Sequence, residues 1–114
     1  MSTIIKSMDT IGEKLRQLRE QNNLPLRKVA ALADVDTAVL SKMERGERKL
    51  TKDVVLRLAD IYKYSADDLL VLFLSDKILY EIRDEELGEK ALKVAEQKVK
   101  YLKQTSQNNS NNNL

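Results

Sequence analysis

Apolar positions along this chain recur at steps of three and four, and no segment alternates them singly with polar ones. Steps of three and four put side chains on one face of a helix, whereas strict alternation builds a strand. The pattern therefore predicts helices throughout. Ile11, Leu15 and Leu18 form the face of a first helix. Thr10 and Glu13 stand before it at the spacing of a capping box, and Gln21-Asn22-Asn23 ends it. Pro25, with φ already fixed near the helical value, suits the first turn of a second helix carrying Val29, Ala30, Leu32 and Ala33. Asp36 is a natural N-cap for a third, which turns Leu40 and Met43 inward and closes at Gly46, a residue able to adopt the left-handed conformation. Thr51 caps a fourth helix with Val54, Val55, Leu58 and Ile61 on its apolar side. Ser65 and Asp68 open a short fifth through Leu69, Leu70 and Leu72. The fold class expected is an all-α, five-helix bundle over residues 10–74, preceded by a flexible start at 1–9.

The rest reads differently. Residues 75–104 are helix-compatible apart from Gly88, with Asp84-Glu85-Glu86 a candidate start after a break near Arg83, and the pattern leaves open whether this extension is one helix or two. Leu92, Ala95, Val99 and Leu102 step by three, four and three, the spacing of a coiled-coil seam. Lys90, Lys93, Glu96, Lys98 and Lys100 cover the other sides. Such a seam either joins two copies of the chain or packs back on its own bundle, and the homodimer is the favoured reading. Residues 105–114, rich in Asn, Ser and Gln, are expected to be a disordered tail.

Composition then removes whole classes of chemistry. The 114 residues include no cysteine and no histidine. That excludes a disulfide framework, a thiolate nucleophile, a Cys/His zinc site and a histidine base. Adjacent carboxylates such as Asp67-Asp68 and Glu85-Glu86 do not face one another on a helix, so they read as caps and solvated charge. There is no P-loop or dinucleotide fingerprint and no metal-ligand cluster, so neither enzyme nor cofactor is expected. No run approaches the ~20 apolar residues that span a bilayer, and no secretory signal is visible, so a cytoplasmic protein is expected. Net charge is only +2. Residues 27–57 hold eight Lys or Arg against five Asp or Glu, a local excess that matters because of where it falls, at and beyond the third helix.

Between Val29 and Gly46 the prediction is a short helix, a tight turn and a second helix capped by Asp36, which is the helix-turn-helix pattern. Ala30 is small where the helices must approach, and Val35 can plug the corner. With Leu40 and Met43 turned inward, Thr37, Ala38, Val39 and Lys42 are left facing out. Residues 11–70, about half of the chain, resemble the Cro/CI-type (XRE) helix-turn-helix domain of phage repressors and bacterial regulators. The matching runs are Val29-Ala30, Asp34-Val35-Asp36, Leu40-Ser41-Lys42-Met43-Glu44-Arg45-Gly46, Leu58-Ala59 and Asp67-Asp68-Leu69.

The resemblance implies a lambda-repressor-like bundle with 37–45 as the recognition helix, entering the major groove by its first turn. It implies base contacts from Thr37, Ala38, Val39 and Lys42, the lysine reaching guanine O6 and N7. It implies phosphate contacts from Ser41, Arg45, Arg48 and Lys49. Glu44 matches a structural glutamate tied to a neighbouring arginine or to backbone. Where the family usually has Ser or Thr followed by Gln at the start of the second helix, this chain has Pro25 and Leu26, and Arg27 and Lys28 are the candidates to replace that phosphate contact. Asp34 stands in place of the turn glycine, and Leu50 in place of a proline.

The function expected is a sequence-specific regulator, a repressor, that binds a palindromic double-stranded DNA operator as a homodimer through Leu92, Ala95, Val99 and Leu102. Its compact form is similar to controllers of restriction-modification systems, to phage-like regulators and to antitoxins. The alternative is a protein-interaction module whose C-terminal helices grip a protein partner such as a toxin or polymerase.

Overall fold

The computed structural model describes residues 9–112. Among them lie six helices and no strand: α1 (Ile11–Gln21), α2 (Leu26–Ala33), α3 (Thr37–Glu44), α4 (Lys52–Tyr62), α5 (Ala66–Ile82) and α6 (Gly88–Asn112). The start expected to be flexible lies, apart from Asp9, outside the described residues, as do positions 113 and 114. The chain divides into two compact units between Lys77 and Ile78.

In the first unit, each helix start follows from a local side chain. Thr10 accepts from the Glu13 amide while the Glu13 carboxylate accepts from the Thr10 amide, the full reciprocal box. Asp36 accepts from Ala38, Thr51 from Val54 and Ser65 from Asp68. Pro25 is the exception. It sits outside α2 as its N-cap, at ψ 149°, and caps with no side-chain hydrogen bond, because it has no polar side chain to offer.

The apolar faces of α1 to α5 converge on one core. Leu15, Val29, Leu40, Val55, Leu58 and Leu69 are fully buried, each contributing roughly 1.5–3 kcal/mol by burial. α2 packs on α3 and α4, and α1 packs on the same two helices. Asp76, on α5, accepts from the Ile11 amide at 2.8 Å and so satisfies a free donor at the start of α1.

Two expectations need correction. The fifth helix does not end near Leu72 but runs to Ile82. Six consecutive apolar residues, Leu69 to Leu74, erase the one-sided period that would have marked its course. Leu69, Leu72 and Phe73 enter the core while Val71, Leu74 and Ile78 stay about half exposed on the outer side. The Asn- and Ser-rich tail is not free of structure either, for α6 continues through Asn112. Once a helix is nucleated, each added residue gains a backbone hydrogen bond, and no Gly or Pro interrupts the run after Gly88.

The second unit settles the question of one helix or two. α5 stops at Ile82, the Glu85 amide donates to the Ile82 carbonyl, and the Gly88 amide to the Glu85 carbonyl. α6 then begins at Gly88, not at the acidic triplet. A β-carbon at Gly88 would lie 2.5 Å from the Ile82 carbonyl oxygen, so only glycine allows so tight a return. Every residue of α6 from Glu89 to Gln104 is exposed. No helix among the described residues is long and apolar enough to cross a membrane.

Candidate nucleic-acid interface

The site is built on the α2-turn-α3 unit. The turn is held by backbone: the Val35 amide returns to the Ala30 carbonyl at 3.0 Å and the Asp34 amide to Ala31 at 3.3 Å. Those two bonds require a left-handed residue after the helix, and Asp34 supplies it at φ 57°, ψ 48°. Aspartate visits this region more readily than most residues, which is how the chain dispenses with a glycine there. Val35, half-buried, packs against the core at the corner.

Arg57, from α4, donates to the Ala33 carbonyl at 2.7 Å and pairs with Asp53 one turn away. A guanidinium at the carbonyl end of α2 also opposes the negative end of its dipole. Arg57 thus ties the turn to α4.

α3 is fixed at both ends. The Asp36 carboxylate caps its start. At its finish the buried Glu44 receives Arg19 of α1 through two hydrogen bonds, Nε at 2.8 Å and Nη2 at 3.1 Å, while Nη1 of the same arginine reaches the Leu24 carbonyl. The Glu44 hydrogen bonds raise the pKa of Arg19 above its ordinary value. Gly12 lets α1 approach, since a β-carbon there would stand 2.6 Å from the Glu44 carbonyl oxygen and 2.7 Å from that of Met43. Gly46, at φ +77°, ends the helix as expected.

This frame leaves Thr37, Ala38 and Lys42 exposed on the free side of α3. Val39, expected beside them, is half-buried and packs on the core, because it lies one turn before the buried Met43 on the same side. Arg27 and Lys28 are exposed at the start of α2, and Arg48 and Lys49 on the loop after α3. Arg45 is also exposed but engaged. Its Nε meets the Glu47 carboxylate at 3.0 Å, and Nη1 donates to the half-buried Ser41 hydroxyl. That contact holds the Glu47 carboxyl below the usual carboxylate range and raises the pKa of Arg45. Leu92, Ala95, Val99 and Leu102 are exposed on α6, in the second unit.

Nothing in the spacing of the chain marks Arg19, Arg57 or Gly12. The contacts that tie them across the fold, Arg19 to Glu44, Arg57 to the Ala33 carbonyl and Gly12 to the end of α3, span 24 or more residues, a distance at which spacing carries no signal. Only the match of Glu44 to a structural glutamate pointed toward the first.

Among the described residues, no group of three or more His, Cys, Asp or Glu could hold a metal ion. The arrangement exposes Thr37 and Ala38 in the first turn of α3 and Lys42 in its last, with Arg27, Lys28, Arg48 and Lys49 exposed on the segments before and after it, groups of the kind that meet base edges and phosphates.

Comparison with known proteins agrees with this geometry. A family model described as a helix-turn-helix domain matches residues 10–72. The HTH-type transcriptional repressor RghR of Bacillus subtilis (strain 168) is 33% identical over 64 residues, 55% of this chain and 47% of that one. The HTH-type transcriptional regulator DdrOP3 of Deinococcus deserti is 34% identical over 58 residues, 51% of this chain and 45% of that one. The matched region thus spans about half the length of these relatives. Among solved structures, a hypothetical protein from E. coli superposes with a TM-score of 0.59 at 26% identity, covering 74% of this chain and 86% of that one. The clp gene regulator ClgR from Corynebacterium glutamicum shares the fold, with a TM-score of 0.51 at 22% identity over 84% of this chain and 88% of its own.

Proposed function

The chain belongs to the helix-turn-helix domain family, and from that premise we propose that it is a transcription regulator that binds double-stranded DNA in a sequence-specific manner, occupying a palindromic operator as a homodimer. The observation that carries the proposal is the exposed side of α3. Thr37, Ala38 and Lys42 project from a helix locked at both ends, with Arg27, Lys28, Arg48 and Lys49 exposed around it.

In this reading, the first turn of α3 meets base edges. The Thr37 hydroxyl donates or accepts, the methyls of Thr37 and Ala38 meet a thymine methyl, and Lys42 reaches guanine. The half-buried Val39 offers only an edge to that surface. Arg27, Lys28, Arg48 and Lys49 meet phosphates. Arg45 reaches a phosphate from a side chain already oriented by Ser41 and Glu47. Two such units, related by a two-fold axis through the Leu92, Ala95, Val99 and Leu102 seam, place their α3 helices in successive major grooves about 34 Å apart. Repression follows by occluding a promoter. RghR, a relative by sequence, is named as a repressor.

The test is binding to fluorescent duplex DNA across a salt series. A DNA reader loses affinity linearly in log salt as counterions are released, and a flat line at weak affinity sinks the proposal. A second reading, an interaction module of the antitoxin kind that grips a protein partner through α6, draws on one observation. Pro25 and Leu26 leave the start of α2 with no side-chain cap and, at those two positions, no polar side chain to reach a phosphate.

A further inference from the structure

α6 presents a long apolar arc to solvent. Leu92, Val99 and Leu102 are 42, 57 and 63% exposed. Writing the seam as a heptad puts Leu92 and Val99 at a, Ala95 and Leu102 at d, Glu89, Glu96 and Lys103 at e, and Ala91 and Lys98 at g. The g flank also carries the exposed Val94 and Tyr101, so the charges that discriminate an orientation are chiefly those at e.

We propose that α6 pairs with α6 of a second copy of this chain in antiparallel orientation, Leu92 of one protomer against the partner's Leu102 and Ala95 against the partner's Val99. This rests on the homodimer reading above and specifies its geometry. Two observations carry it. The first is volume. An antiparallel pair sets the small Ala95 against the larger Val99 twice, which evens the spacing of the two helices along the seam. A parallel pair would stack Ala95 on Ala95 and Val99 on Val99, leaving one layer thin and the next thick. The second is charge. In a parallel pair, g faces e five residues on, which sets Lys98 against the partner's Lys103 on both sides. In the antiparallel pair e faces e, which sets Glu89 against the partner's Lys103 twice. Glu96 then meets its own copy, and Lys98 its own, on opposite flanks of the two-fold axis. Two attractions against two repulsions replace two repulsions alone.

The chain has no cysteine, so single cysteines report cleanly on which side chains meet. Full-length Leu92→Cys and Leu102→Cys chains are co-expressed, oxidised and run without reductant, with each variant alone beside them. The antiparallel pair gives a disulfide-linked dimer from the combination and none from either variant alone. Leu92→Cys linking to itself would overturn the orientation and leave the homodimer standing. Wild-type protein that sediments as a dimer while no combination links would place the interface elsewhere, with the same consequence. Wild-type protein that is a monomer at every concentration would remove the homodimer reading as well. A charge variant gives an independent sign. Lys103→Glu should weaken the dimer roughly three- to tenfold, through two like-charge contacts with Glu89, and adding Glu89→Lys should restore it. A parallel pair would be strengthened by Lys103→Glu, since Lys98 would then face a carboxylate.

Discussion

Arg19 of α1 holds Glu44, in the last turn of α3, in a two-pronged hydrogen-bonded ion pair with Nε–Oε2 at 2.8 Å. Glu44 is buried to 7% exposure, so its carboxylate depends on that guanidinium. Such a pair is weak evidence for net stability, yet removing one partner strands the other charge. It fixes the last turn of α3 against α1, at the far end of the helix from Thr37 and Ala38 and two residues from Lys42. Arg19→Met should therefore cost about 3–5 kcal/mol in urea unfolding. Glu44→Gln, which retains an acceptor for the arginine, should cost less. Equal stability of wild type and Arg19→Met would show that the pair does not organise the fold.

Lys42 and Lys49 make different kinds of contact in this account and should fail differently. Lys42→Ala should cost about 1–3 kcal/mol on the cognate site and relax the preference at one base pair. Lys49→Ala should weaken all duplexes alike and lower the salt slope by about 1. Anisotropy titrations on cognate and scrambled duplexes separate the two. A uniform loss with Lys42→Ala would make Lys42 a phosphate contact.

Much of this was legible in the chain because caps are local. Thr10 with Glu13, Asp36, Thr51 and Ser65 each sit within three residues of the amide they satisfy, and each was readable as a helix start. Of the inward set of the first four helices, Leu15, Val29, Leu40 and Leu58 followed from period, whereas Leu32, read on the same face as Val29, is 58% exposed. The arginine of Glu44 was not readable, nor was Arg57 on the Ala33 carbonyl, because tertiary partners obey no spacing rule. The length of α5 was hidden by an apolar run with no polar face to contrast with it. The extension of α6 was hidden by a composition that signals disorder while being free of helix breakers beyond Gly88.

Tyr62 makes stability depend on alkaline pH. Its hydroxyl is buried and finds no hydrogen-bond partner among the described residues. Burial, then the charge of Glu44, raises its pKa above the ordinary tyrosine value. The unfolded chain ionises this tyrosine near pH 10 while the folded chain resists. The contribution is therefore fully present below about pH 10 and is lost as pH rises beyond it. Tyr62→Phe should be neutral or stabilising by up to about 1 kcal/mol at pH 7. Its advantage over wild type should widen above pH 10 in thermal melts, and a constant difference across that range would contradict the burial argument.

The proposed dimer contact on α6 can be tested apart from the helix-turn-helix unit, but the cut must respect α5. Ending the chain after Ser75 would remove Asp76, which satisfies the Ile11 amide, and would divide a continuous helix. A chain ending after Arg83 keeps both. It should remain folded by circular dichroism and be a monomer by light scattering, with weaker binding to a two-half-site duplex. A dimeric truncation would move the interface to the first five helices, where Val71, Leu74 and Ile78 form an exposed apolar row.

Two copies of the chain are proposed to read two half-sites through α3. Selection of bound sequences from random duplex DNA with the full-length protein at moderate salt tests this proposal most directly. The expected outcome is an enriched inverted repeat with half-sites about one duplex turn, roughly 10 base pairs, apart from centre to centre. Binding that is weak and salt-sensitive without enrichment of any motif would contradict it, and would favour the module that grips a protein partner.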